Sequence, residues 1–259
     1  MSKHPFHLVS PSAWPILASL SSLLFTSGLV LSWSNRGSGL LVAGTLCLLL
    51  VSSLWWASVS WEATILGLHT LRVQSGLRLG MFLFIVSEVF FFVSFFWAYL
   101  HCSLSPNIEL GSLWPPAGLS SLDAFSIPLL NTFVLLTSGA TVTWSHSSLQ
   151  SGLISSCFSS LCFTILLGVC FSLLQGYEYR YCSFCISDSA YGSCFYLSTG
   201  FHGLHVLIGT LFLFISLVRV FLLHYTPIRH IGFEFACWYW HFVDVVWILL
   251  FLVVYVWGS

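Results

Sequence analysis

A chain of 259 residues in which 58% are hydrophobic and only 6% charged cannot cover itself with a water-facing surface, because soluble domains devote about a quarter of their residues to charge. Its formal net charge of -1 gives no basic face for nucleic acid. A mean hydropathy of +0.95, with 12 Trp, 9 Tyr and 24 Phe, fits helices in lipid with aromatic belts at both interfaces.

The first residues, MSKHPFHLVSPSAWPILASL, carry one formal positive charge, Lys3, and lack the pattern of a secretory or transit sequence. Insertion is therefore expected to rely on the hydrophobic helices themselves. A spanning helix needs about 20 mostly apolar residues. Residues 14–34 supply the first span, ending at Ser34-Asn35-Arg36-Gly37, and the uncharged stretch 38–61 supplies the second. From Glu62 to Arg78 the chain is more polar and reads as an interfacial connection. The third span, 77–101, is interrupted by a single acid, Glu88. A long loop follows, broken by Pro106, Pro115, Pro116 and Pro128.

From Ala124 to Tyr177 there is no Asp, Glu, Lys or Arg over 54 residues. One helix of that length would run about 80 Å, more than twice a ~30 Å bilayer core. Two helices must share the stretch, turning near Ser145-His146-Ser147-Ser148 and Gly152. The loop Glu178–Asp188 leads to a sixth span, Ser189–Val218, and after Arg219–His230 residues 232–256 make the seventh. The fold class expected is an all-α integral membrane protein with seven transmembrane helices. It comprises an N-terminal two-helix unit (1–69) and a five-helix bundle (70–259).

With the N-terminus on the inner side, inner segments hold five basic residues (Lys3, Arg72, Arg78, Arg219, Arg229) against two, Arg36 and Arg180, outside. That is the asymmetry of the positive-inside rule. Outer loops collect Glu109, Asp123, Glu178 and Asp188. Six of the nine cysteines (Cys47, Cys157, Cys162, Cys170, Cys194 and Cys237) lie in apolar runs and read as small buried hydrophobes. Cys182 and Cys185 form one CxxC in a loop, a weak metal or disulfide signal without a second pair.

Ionisable groups at membrane depth are the functional candidates, because inserting one costs about 3 kcal/mol even on lenient scales. Glu88 lies inside the third span, His202 and His205 inside the sixth, His241 and Asp244 inside the seventh. Each of the last two pairs is spaced i,i+3 and shares a helix face. One intramembrane Glu cannot supply a di-iron carboxylate bundle, and nothing resembles a copper or haem ligand set. No metal site and no catalytic residue is expected. The five groups are read as an intramembrane polar cluster in which Glu88 is hydrogen-bonded to at least one of the histidines, closed to bulk water and holding helices in register, with a proton relay as the alternative. Trp55, Trp56, Trp61 and Trp97 read as interfacial anchors, and Arg78 and Arg219 as residues that snorkel to lipid phosphate.

Several long motifs resemble the subunit III family of aa3-type cytochrome c oxidases. They are GLRLGMFLFIVSEVFFFVSFFWAYLHCSL (76–104), ELGSLWPPAG with IPLLNTFVLLTSGATVTWSH (109–146), STGFHGLHVLIG (198–209) and GFEFACWYWHFVDVVWILLF (232–251). HLVSPSAWPILASL matches the family's N-terminus. The resemblance implies helices one and two splayed from helices three to seven, with phospholipid in the cleft. It implies a non-catalytic core subunit of respiratory complex IV, in the mitochondrial inner membrane with the N-terminus in the matrix. Such a subunit stabilises the catalytic one and sustains proton uptake while electrons pass from cytochrome c to oxygen with proton pumping. Haem a, haem a3 and copper would sit in partner subunits I and II, accessory subunits would complete the complex, and this chain would hold only structural phospholipid. By motif, the family's intramembrane carboxylate corresponds to Glu88, and its lipid contacts to Trp56, Glu62, His69, Arg78, Trp97 and Arg219. The sequence departs from the family at Ala57-Ser58, Trp61, Leu68 and Leu222, which leaves fewer headgroup partners at that end. A bacterial quinol oxidase subunit is the nearest rival, and an independent channel or transporter, without evident inverted repeats or broken helices, is the rival of another class.

Overall fold

The computed structural model describes residues 5–108 and 111–258; Lys3 and Glu109, counted above, lie outside them. The described residues form seven helices: α1 Trp14–Trp33, α2 Gly39–Thr64, α3 Leu71–Leu104, α4 Ile127–Gln150, α5 Ile154–Tyr181, α6 Ala190–Phe221 and α7 Ile231–Leu250. α7 runs on in π-helical form through Phe251–Val256. All seven are long and apolar enough to cross a bilayer, and no strand occurs among the described residues. This is the expected all-α, seven-span membrane architecture.

Local chemistry explains the punctuation. α1 and α4 each begin with a proline in the first turn, where the missing N–H is no loss. α1 is released by Asn35 and Gly37, both at positive φ. Ser189 caps α6, its hydroxyl accepting from Gly192 N at 3.2 Å.

Three boundaries differ from the sequence reading. α3 starts at Leu71, so Arg72, Gln74 and Arg78 ride on a helix and not in a connection. Its 34 residues rise about 51 Å, so the polar first turns stand clear of a ~30 Å hydrocarbon core. Residues Ser145–Ser148 continue α4, because their hydroxyls find partners: Ser145 Oγ donates to Cys157 O across the hairpin at 2.9 Å. The turn falls at Gly152, φ +76°, the second of the two places expected for it. α5 extends to Tyr181, so Glu178 is not in a loop: it is 2% exposed, and Tyr255 Oη donates to its Oε1 at 2.6 Å.

The chain divides into two compact units, Met1–Leu77 and Arg78–Ser259, with the division inside α3. In the first, α1 and α2 approach through glycine. A Cβ on Gly28 would collide with the Leu41 backbone, and one on Gly44 would stand 2.5 Å from Phe25 N. Small residues permit this backbone proximity, which lets van der Waals contact hold helices where lipid supplies no hydrophobic drive.

In the second unit α7 is the hub. It packs on α4 and α6, while α5 fills between α4 and α6. The Trp240 indole is fully buried against Gly168 and Gly209 and donates to Ser138 Oγ at 2.9 Å. Trp247 donates to Thr132 Oγ1 at 3.0 Å. α3 stands further off and reaches the bundle through long side chains, among them Phe92 against Phe242 and Tyr99, whose hydroxyl donates to Val254 O at 3.4 Å.

All nine cysteines are free thiols, Cys182 and Cys185 included. Cys157 and Cys237 are buried, but Cys47 and Cys170 are exposed on outward faces. The expectation of burial fails for these two, which lie in spans whose surroundings are lipid and where an apolar run does not by itself mark a buried face.

Candidate functional site

The expected bond between Glu88 and a histidine is present, but the five intramembrane polar residues do not all join one cluster. Glu88 and His205 meet: Glu88 Oε2 lies 3.0 Å from His205 Nε2. The other ring nitrogen, Nδ1, is 2.7 Å from Phe201 O. A carbonyl only accepts, so Nδ1 carries a proton and Nε2 is left with a lone pair or a second proton. Nε2 and the carboxyl can bond only through a proton held between them, with Glu88 neutral or His205 cationic. Phe92 and Phe242 pack edge-on to the imidazole, and Tyr239 stacks on it. The pair lies in an open apolar cleft of 480 Å³, whose walls include Phe84, Phe91 and Ile208.

His202 lies one helical turn from His205 but turns to another neighbour. It is fully buried, its Nε2 donates to Val243 O at 3.2 Å, and Phe171 and Trp247 flank the ring. His241 and Asp244 form a third group, at 3.8 Å, with Thr143 Oγ1 3.4 Å from His241 Nε2. A Cβ on Gly139 would stand 2.6 Å from Asp244 Oδ2, so only glycine leaves this carboxylate its place. The shared i,i+3 face is broad: three residues turn the helix by about 300°, enough to aim His205 at α3 and His202 at α7.

The residues matched to lipid contacts divide similarly. Trp56 and Trp97 are exposed. Arg78, expected to snorkel, is held in an ion pair: its Nε donates to Glu234 Oε2 at 3.1 Å and its Nη2 to Oε1 at 3.2 Å. The Arg219 guanidinium stacks 4.4 Å from the Tyr225 ring, and its Nε is buried without a partner. Burial pushes the Tyr225 hydroxyl above its usual range, opposed by the Arg219 charge. In the first unit Glu62 lies 3.8 Å from His7, and the His7 and His69 rings are 5.8 Å apart. Burial holds His69 below the usual imidazole range, aided by the neighbouring His7 and opposed by Glu62.

One group escaped sequence reasoning. His146, His230 and Glu234 place one donor atom each within 4.8 Å of one another. His146 lies far from the other two along the chain, and only packing of α4 against α7 unites them. The sole local signal was the i,i+4 spacing of His230 and Glu234.

Seven apolar spans, with titratable groups tied to neighbours inside a five-helix bundle, define a polytopic helical membrane protein. The family model for cytochrome c oxidase subunit III matches residues 4–259. Cytochrome c oxidase subunit 3 of Anopheles gambiae is 53% identical over 258 residues, covering 100% of this chain and 98% of that protein. Its counterparts in Osphranter robustus and Patiria pectinifera are 53% and 52% identical over 257 residues, covering 99% of this chain and 98% and 99% of those proteins. The chain belongs to the cytochrome c oxidase subunit III family.

Proposed function

We propose that this chain is a non-catalytic core subunit of cytochrome c oxidase in the mitochondrial inner membrane, N-terminus in the matrix, assembled with subunits I and II and accessory subunits. The observation that carries this reading is the family match along almost the whole chain. In this reading haem a, haem a3 and copper belong to subunits I and II, and this chain holds no redox centre. The mid-membrane imidazole of His205 supports that assignment. His205 has both ring nitrogens engaged, one with Phe201 O and the other with Glu88.

The chain's own work is then mechanical and lipidic. The Glu88–His205 pair fastens α3 to α6 from the wall of an apolar cleft, helping the catalytic subunit sustain proton uptake through many turnovers. Phospholipid headgroups are assigned to Glu62, His69 and Arg219, with Trp56 and Trp97 at the acyl boundary, while the Arg78 guanidinium is taken up by Glu234. Arg219 supports this through its place in the last turn of α6, where a long cationic side chain can reach interfacial phosphate.

An affinity tag on this chain tests the assignment. Purification in mild detergent should bring down subunits I and II with haem and copper. Stripping this chain away with a harsher detergent should leave both cofactors with the remainder. Haem or copper following the tagged chain, or a preparation without oxidase subunits, would overturn it.

A further inference from the structure

We propose that His146, His230 and Glu234 form a divalent transition-metal site, best suited to Zn²⁺, at the end of the bundle where α4 finishes and α7 begins. The inference rests on geometry and not on the oxidase assignment. His230 is 5% exposed, and its Nδ1 lies 3.0 Å from Thr226 O. That carbonyl can only accept, so Nδ1 bears the proton and Nε2 presents a lone pair. Nε2 has no hydrogen-bond partner. What it faces, 3.6 Å away, is Oε1 of Glu234, another acceptor. Two acceptors opposed in a buried place repel until a cation or a proton bridges them.

The surroundings favour a metal. A ring N–H held by a backbone carbonyl is the usual outer support of a ligating histidine, because it fixes tautomer and ring plane. Here the support is rigid: Thr226 and Arg229 exchange backbone hydrogen bonds at 3.2 Å, and Arg229 N also donates to Thr226 Oγ1 at 3.0 Å. His146 closes the set from α4, its ring edge-on to His230 at 5.4 Å. Gln150 Nε2 lies 3.3 Å from its Nε2; an amide N–H there would use the ring's one lone pair, so metal binding requires the Gln150 amide to turn its oxygen to a ring N–H or to give up the contact. Two imidazoles and a carboxylate oxygen form a borderline donor set that suits zinc and leaves a fourth position for water or another ligand.

Arg78 sets the affinity. Its guanidinium holds both Glu234 oxygens, yet each carboxylate oxygen keeps a second lone pair, so the arginine can remain as outer support while Oε1 ligates. Its charge opposes the incoming cation, as does the positive N-terminal end of α7. The site is therefore weaker than a closed structural zinc site and responsive to free metal.

The test uses the complex isolated through a tag on this chain, treated with chelator and then given Zn²⁺ alone. Zinc-edge anomalous scattering should place one ion among the three residues. His230→Gln should abolish that peak and weaken zinc binding at least about tenfold, with subunit content unchanged. If that variant does not assemble, His146→Asn serves in its place. Arg78→Gln should tighten binding. No anomalous peak at the triad, a peak that survives loss of a ligand, or a proton alone held between His230 and Glu234 under saturating zinc would each overturn the proposal.

Discussion

At the scale of single residues, proton bookkeeping around His205 decides what Glu88 can do. Glutamine at position 88 can donate an amide N–H to the Nε2 lone pair, keeping a hydrogen bond while removing the acid. Glu88→Gln should therefore assemble, pump with unchanged stoichiometry in fresh enzyme, and loosen the subunit by less than about 1 kcal/mol, the usual worth of such bonds in membranes. His205→Leu strands the carboxyl in an apolar cleft and should cost about 1–3 kcal/mol. Retention of this chain through a detergent series should rank the parent above Glu88→Gln and both above His205→Leu. A Glu88→Gln enzyme that assembles but pumps no protons from its first turnovers would instead make Glu88 part of a proton path. His69 carries a pH dependence. Its folded form prefers the neutral ring, so an opened segment binds the extra proton more readily. That contribution is intact above the unfolded value of about 6.5 and is lost as pH falls toward the lowered folded value. Hydrogen exchange through residues 65–70 should quicken over that window in the parent and lose the dependence in His69→Asn. The sequence made these residues visible as ionisable groups in apolar runs, but not their pairing. His202 and His205 look equivalent by spacing, and only side-chain direction separates them.

At the scale of elements, the spans were legible because twenty apolar residues in succession have few other uses. Their ends were less so. Polar residues such as Arg72 and Gln74 look like loop, yet a helix can carry them beyond the hydrocarbon. Glu178 looked like a loop acid because its partner, Tyr255, arrives from the far end of the chain. Glycine marks the closest helix contact. Gly28 and Gly44 are the positions where α1 and α2 touch through backbone, and a methyl group at either cannot be absorbed by a side-chain rotation. Gly28→Ala should push the two helices apart and destabilise their pairing by about 1–3 kcal/mol, the usual cost of overpacking. Gly39→Ala, at a position with open space around it, should be neutral. Disulfide trapping between cysteines introduced on facing positions of α1 and α2 would report the separation, and equal trapping in both variants would refute the glycine argument.

At the scale of the whole molecule, orientation is the property most exposed to experiment. Seven spans put the chain's ends on opposite sides of the membrane, and the basic residues decide which is which. The Arg78–Glu234 ion pair joins the second turn of α3 to the first turn of α7, so those two helices start at the same face, as an even number of intervening crossings requires. Arg219, in the last turn of α6, and Arg229, between α6 and α7, lie at that face too, while Arg180, in the last turn of α5, lies at the other. With the N-terminus inside, the α5–α6 connection must be outside, and it carries an exposed native thiol, Cys185. A membrane-impermeant maleimide added to mitoplasts should therefore label Cys185 without permeabilisation. A cysteine placed at exposed Arg229 should be labelled only after the inner membrane is opened. The two sites are read in separate variants, with Cys185→Ser as the background for Arg229→Cys and the remaining thiols mapped by peptide mass. The reverse labelling pattern would invert the topology while leaving every helix in place, because the charge margin that sets orientation is independent of the packing that sets the fold.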